Sequence, residues 1–248
     1  MMIKSFRHAL STDKPLKGIL ISVPSCEMVE MISDAGFDWL FLDMEHSPVS
    51  HETMLNLLRC VSPKCLCAVR VPEATATDVA RVLDAGAEAV IFPRISTEAQ
   101  ARHAVSLCKY PPEGLRGVGM GRGARYGRDF TEYLKEANQS IACIVQIEDA
   151  EAVKNAAAIA AVPGVDALFI GPYDLSMSMG LPGEVTHPDV QQAIASVARL
   201  KAPGLTLGIF TANPETMKQY TDQGFRLLAG GIDTELVRSG AQRILDTM

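Results

Sequence analysis

Hydrophobic positions along the chain alternate between two regimes. A short, nearly continuous apolar run is followed by a longer stretch with apolar positions at helical spacing. The runs fall at 18–23, 39–44, 68–71, 89–93, 142–148, 167–171, 206–210 and 225–230. The helical stretches fall at 26–35, 51–60, 77–85, 97–109, 150–161, 188–200, 214–223 and 234–245. Continuous apolar runs suit parallel strands buried on both faces. Eight such units in series predict a closed (β/α)8 TIM barrel rather than an open doubly wound sheet. No linker or low-complexity segment divides the chain, so the expectation is a single domain over 1–248.

Glycine punctuates the pattern in Ala35-Gly36-Phe37, Ala85-Gly86-Ala87, Pro163-Gly164-Val165 and Gln223-Gly224-Phe225. Each sits after a helical stretch, where a left-handed residue ends the helix and feeds the next strand. Two connections are long. One covers 110–140 and contains YPPEGLRGVGMGRGARYG; the other covers 172–187. Both are expected at the catalytic face, where barrel loops carry function. The arginine-rich stretch 116–128 reads as a mobile loop over the site or as a subunit contact.

Composition narrows the function classes. The 248 residues are 48% hydrophobic and 21% charged, with a formal net charge of −6. This excludes a disordered chain and argues against a nucleic-acid binder. No run approaches the roughly 18 apolar residues of a membrane-spanning helix. MMIKSFRHAL lacks the apolar core of a signal peptide, so a cytoplasmic protein without a membrane partner is expected. The six cysteines read as buried or half-buried thiols. Cys65 and Cys67 share a face as an alternative metal pair, but no partner cluster follows.

Charged residues are costly inside a strand unless paired or liganded. Here they gather at the ends of four runs: Asp43, Glu45 and His46; Arg70; Gln146 and Glu148; and Asp174 after Gly171-Pro172-Tyr173. Glu148 and Asp174 are hard oxygen donors. Converging at one mouth, they would repel unless a cation lay between them, and Mg2+ or Mn2+ takes one or two carboxylates and leaves positions for water and substrate. Alternatively, each caps the helix that follows it. His46, oriented by its acidic neighbours, is either a general base or a satisfied structural group. Arg70 can hold an enolate or a carboxylate, or pair with Asp43 or Glu45. Small Gly171 leaves nearby main-chain N–H groups, including that of Tyr173, able to reach an anion.

Taken in order, FDWLFLDMEHSP, AVRVPE, VLDAGAEAVIFPRI, YPPEGLRGVG, VQIED, GVDALFIGPYDLSMSMG and AGGIDTELV resemble the HpcH/HpaI aldolase family over nearly the whole chain. That family comprises metal-dependent (class II) pyruvate aldolases, such as 4-hydroxy-2-oxoheptanedioate aldolase. The resemblance implies Glu148 and Asp174 as metal ligands for Mg2+ or Mn2+, with Co2+ a further candidate. It implies His46 as the base, Arg70 as the group holding the enolate oxygen, and Gln146, Gly171, Tyr173 and Asp174 as substrate-binding positions. Asp84 matches an acid that assists the histidine, although it ends a helix at the wrong face for its own site. A neighbouring subunit would therefore supply it. A homo-oligomer is implied, a hexamer built as a trimer of dimers with swapped C-terminal helices. Two departures stand out: Tyr173 replaces a small residue, and MGRGARYG over 120–127 differs from the familiar pattern.

The implied reaction is reversible cleavage of a 4-hydroxy-2-oxo acid to pyruvate and an aldehyde through an enolate held at the metal. Decarboxylation of oxaloacetate, as in a macrophomate-synthase-like enzyme, is the alternative from the same enolate. Outside that chemistry stand a non-catalytic ligand-binding barrel and a phosphate-binding isomerase barrel, the latter hinted at by Gly230-Gly231.

Overall fold

A computed structural model of the protein describes residues 5–200 and 202–248. Eight parallel strands close a barrel in sequence order: β1 (Leu16–Ile21), β2 (Trp39–Asp43), β3 (Leu66–Arg70), β4 (Ala89–Phe92), β5 (Ala142–Ile147), β6 (Ala167–Ile170), β7 (Thr206–Thr211) and β8 (Leu227–Ile232). All eight expected strands are present. Helices α2 (Cys26–Asp34), α3 (His51–Cys60), α4 (Ala76–Asp84), α5 (Glu98–Cys108), α7 (Ala150–Ala160), α9 (Pro188–Ala198), α10 (Met217–Asp222) and α11 (Asp233–Leu245) follow the strands as expected. The helical stretch that precedes β8 opens with a 3-10 turn, Pro214–Thr216. Three α-helices lie outside the repeating pattern: α1 (Phe6–Leu10), α6 (Phe130–Ser140) and α8 (Pro172–Ser178).

Helix starts follow side-chain capping. Ser25, Ser50, Thr75, Thr97 and Asp149 each accept a main-chain N–H from the first turn of their helix, satisfying a donor that has no partner inside the helix. Gly36 and Gly86 follow the caps of α2 and α4 with φ of 106° and 98°, as the punctuation predicts.

Side chains alternate across each strand, which splits the core in two. Outward residues pack beneath the helices. Inward residues fill the barrel with an aromatic column. Phe6 of α1 closes the bottom edge-on to Trp39, with ring centroids 5.9 Å apart. Trp39 contacts Phe41 and Phe169, which meet each other at 5.6 Å. The Trp39 indole N–H donates to the Leu228 carbonyl at 3.2 Å. Small residues face the column: a Cβ on Gly18 would lie 2.4 Å from the indole, and one on Gly208 would lie 2.5 Å from Phe169.

The expected position of 110–140 is corrected. Helix α5 intervenes after β4, so this segment joins a helix to a strand and emerges at the bottom of the barrel, opposite the strand C-termini. There the Arg122 guanidinium donates to the carbonyls of Ala85 and Leu58, at the ends of α4 and α3. The Gly123 N–H donates to the Asp84 carbonyl at 2.8 Å. The 116–128 stretch therefore does not lie over its own chain's mouth. By contrast, 172–187 does follow a strand, and α8 folds there at the catalytic face. Among the described residues no helix is long and apolar enough to cross a membrane.

Candidate active site at the barrel mouth

The alternation that places Trp39 and Phe41 inside also turns Asp43 inward, and Arg70 and Gln146 follow by register. Asp43 pairs with Arg70, and Gln146 with Phe169. The polar inward positions form the last layer of the barrel, above the aromatic column. Arg70 lies over the Phe41 ring at 5.2 Å. Its Nε and Nη2 both donate to the Asp43 carboxylate at 2.8 Å, a two-point pairing suited to the planar guanidinium. Its Nη1 lies 3.1 Å from Glu45 Oε2 and donates to Gln146 Oε1 at 3.4 Å. The ion pair that sequence offered as an alternative for Arg70 is thus formed, and it fixes the guanidinium at the mouth.

Asp43 also accepts the main-chain N–H groups of Glu45 at 2.9 Å and His46 at 3.3 Å, shaping the turn that carries both. His46 is 63% exposed at its side chain, with Nε2 3.8 Å from Glu45 Oε2. Glu45, expected as an acidic neighbour of His46 or an ion-pair partner of Arg70, meets both. It is buried between Arg70, His46 and Arg94, and Arg94 Nη1 donates to its Oε1.

Neither metal-candidate carboxylate caps a helix. Asp149 caps α7, accepting from Ala152 N–H at 2.7 Å. Gly171 occupies the cap position of α8, with Asp174 exposed in its first turn. Glu148 is buried, and Oε1 accepts the Arg94 main-chain N–H at 2.6 Å. Its Oε2 is buried with no hydrogen-bond partner. Burial, the largest influence, pushes the Glu148 carboxyl up to about 7. The Arg94 N–H pulls it down, the Asp174 and Glu45 charges add to the rise, and Arg70 opposes it. A buried carboxylate with an unsatisfied oxygen and a second carboxylate nearby suits a hard cation. A Cβ at Gly171 would lie 3.0 Å from that oxygen, so glycine keeps the space open. Among the described residues no cluster of three or more His, Cys, Asp or Glu is arranged for a metal. Two protein oxygens with the other positions open match a cation shared with water and substrate.

A small pocket of ≈ 120 Å³ opens beside these groups. Phe41 and Phe169 form its floor, Leu20, Tyr173 and Phe210 its apolar walls, and His46, Arg70, Gln146, Gly171 and Asp174 its polar edge. Tyr173 and Phe210 rings stand 6.3 Å apart, so the large residue at 173 contributes a wall rather than filling the pocket. The volume is well below the roughly 300 Å³ at which drug-sized pockets begin, and it suits a small ligand.

Asp84 is not brought to this mouth. It ends α4 at the bottom of the barrel, 27% exposed, and accepts from Arg116 Nη2 at 3.0 Å. Arg116 is buried under Tyr110 at 4.5 Å from the ring. Gly119 and Gly121 approach Asp84 so closely that a Cβ on either would collide with it. The glycine spacing of 117–123 therefore serves packing around this ion pair. At Gly230 a Cβ would lie 2.2 Å from Met217 Sδ, so close packing against α10 accounts for that glycine.

Fold and mouth together define the class, a (β/α)8 barrel with a compact acid–base mouth at its strand C-termini. The model of the HpcH/HpaI aldolase/citrate lyase family matches residues 18–240, and the chain belongs to that family. It is 39% identical over 238 residues to a 4-hydroxy-2-oxovalerate aldolase of Rhodococcus jostii (strain RHA1), spanning 95% of this chain and 92% of that protein. It is 37% identical over 247 residues to a 4-hydroxy-2-oxo-heptane-1,7-dioate aldolase of Salmonella paratyphi B (strain ATCC BAA-1250 / SPB7), spanning 98% and 94%. Among solved structures, an HpcH/HpaI aldolase/citrate lyase family protein from Burkholderia cenocepacia J2315 superposes with a TM-score of 0.92. It is 40% identical and covers 97% of this chain and 98% of its own.

Proposed function

We propose that the chain, folded as one domain over 1–248, is a divalent-metal-dependent aldolase. It cleaves a 4-hydroxy-2-oxo acid reversibly to pyruvate and an aldehyde. The observation carrying this reading is the buried Glu148, with an unpartnered oxygen, beside a pocket edged by Arg70, Gln146 and Asp174. Glu148 and Asp174 would hold Mg2+ or Mn2+, which supplies positive charge to an oxygen that becomes anionic.

The remaining steps fall to the chain's own groups. Arg70, locked by Asp43, presents Nη1 beside Gln146 to bind and orient the oxo-acid end. The aromatic floor excludes water beneath it. His46 takes the 4-hydroxyl proton at Nε2, and Glu45, 3.8 Å away, stabilises the imidazolium that forms. The C3–C4 bond then breaks, its electron pair passes into the enolate of pyruvate, and the aldehyde leaves past Tyr173 and Phe210. The proton held at His46 then passes to C3, which completes pyruvate and restores the neutral imidazole. In this scheme Glu45 provides, from the same chain, the acidic support that the resemblance assigns to Asp84 of a neighbour.

The test is pyruvate release, followed with a coupled lactate dehydrogenase assay, from 4-hydroxy-2-oxovalerate and 4-hydroxy-2-oxoheptanedioate. Release is expected with Mg2+ or Mn2+ and is expected to stop with EDTA; turnover that persists in EDTA overturns the metal-dependent reading. Faster CO2 release from oxaloacetate than cleavage of either hydroxy-oxo acid would favour the decarboxylase.

A homo-oligomer, a hexamer built as a trimer of dimers, belongs to the same proposal. Helix α11 leaves Leu236, Val237, Ile244 and Leu245 exposed, an apolar surface suited to a second copy through an exchanged C-terminal helix. Light scattering is expected to give six times the 26.7 kDa chain mass, and a single-chain mass for protein truncated before α11. A full-length monomer would remove this part.

A further inference from the structure

Arg94 stands two residues beyond β4, where its backbone adopts the left-handed region with φ of 54°. Side chains other than glycine rarely take that conformation, and where they do the surroundings must hold them there. Three contacts do so. The main-chain N–H donates to Glu148 Oε1 at 2.6 Å. Nη1 donates to Glu45 Oε1, and Nη2 donates to the Pro72 carbonyl at 2.7 Å. One residue thus joins the ends of β2, β3, β4 and β5. Its amide is the only protein hydrogen-bond donor to the Glu148 carboxylate among the described residues.

We propose that Arg94 is a positioning residue for the cation seat. Its left-handed backbone aims the amide at Glu148 Oε1, and this leaves Oε2 turned toward Gly171 and the mouth. The guanidinium contacts with Glu45 and Pro72 offset the strain of that backbone. The inference rests on the metal reading of Glu148. It differs from a side-chain role because it assigns the effect to the sign of φ, which a substitution can alter independently of charge.

The experiment measures Mn2+ affinity by calorimetry for the wild-type protein and for Arg94→Gly, Arg94→Asn, Arg94→Ala and Arg94→Val. All four remove the guanidinium, but they differ in tolerance of positive φ, from glycine through asparagine to alanine and the β-branched valine. Affinity is expected to follow that order. Glycine should bind nearly as tightly as wild type, and valine roughly 10- to 100-fold more weakly, the usual penalty for losing a contact behind a metal ligand. Equal weakening in all four variants, or no weakening in any, overturns the assignment while wild-type binding preserves the metal reading. Failure of the wild-type protein to bind Mn2+ overturns both. If Arg94→Val does not fold by circular dichroism, the comparison of glycine with alanine decides.

Discussion

Glu148→Gln is expected to abolish metal-dependent pyruvate release and, in EDTA at pH 8, to make the protein more stable. Both effects have one cause. Burial lifts the Glu148 carboxyl from 4.5 to about 7 in the folded chain. Between those values the folded state holds a proton that the unfolded state has released. Stability therefore falls as pH rises from about 4.5, and the full penalty is present above about 7. A shift of this size corresponds to up to about 3 kcal/mol. The amide keeps the shape and carries no charge, so it removes that penalty. Thermal melts in EDTA should show a Tm gain of up to roughly 6–12 °C at pH 8 that vanishes near pH 4.5. Added Mn2+ should raise the Tm of the wild type much more than that of the variant, which keeps only the Asp174 carboxylate of the two. A variant no more stable than wild type at pH 8 would show that Glu148 is not strained by burial. A variant that keeps metal-dependent turnover would remove Glu148 from the cation seat.

Asp43→Ala is expected to carry the largest cost in stability. Arg70 and Asp43 are 7% and 3% exposed at their side chains. Removing the carboxylate leaves a buried guanidinium with Glu45 as its remaining ion-pair partner, a situation that costs about 3–5 kcal/mol. It also releases the Glu45 and His46 N–H groups, so the turn carrying the base loosens. Activity should fall with stability. The double variant Asp43→Ala/Arg70→Met separates the effects: it removes the stranded charge and should recover more than half of the lost stability, but no activity. A double variant no more stable than Asp43→Ala in urea unfolding would mean that the stranded charge is not the cause.

The polar mouth is legible because charged residues stand at the ends of four apolar runs, a costly place unless they are paired or liganded. In β5, Gln146 follows Ile144 on the inward face with Glu148 just beyond the strand end, and in β2 Asp43 follows Trp39 and Phe41. Polar residues completing an apolar inward series are visible as such in sequence. Arg94 was not visible, because the sign of a backbone angle leaves no mark on side-chain patterning. A charged residue directly after Pro93, beyond the end of the apolar run, is its only cue. The misplacement of 110–140 had a different origin. The helical pattern of 97–109 was readable, and following the chain through it would have carried the next connection to the bottom of the barrel. Length and glycine content mark the segment as a long loop but do not say which end of the barrel it occupies. The Arg116–Asp84 pair beneath it joins residues 32 positions apart in sequence, which no local pattern reports.

The aromatic column has a kinetic consequence. Phe6, Trp39, Phe41 and Phe169 fill the barrel below the pocket, so substrate reaches it from the mouth. In the proposed reaction both fragments must leave the way the substrate came. With the oxo-acid half held by Arg70 and Gln146 as proposed, the aldehyde half would lie between it and the exit. Departure is then sequential by geometry: the aldehyde clears first and pyruvate last. In the synthetic direction pyruvate must enter before its partner, and an aldehyde that arrives early obstructs the passage.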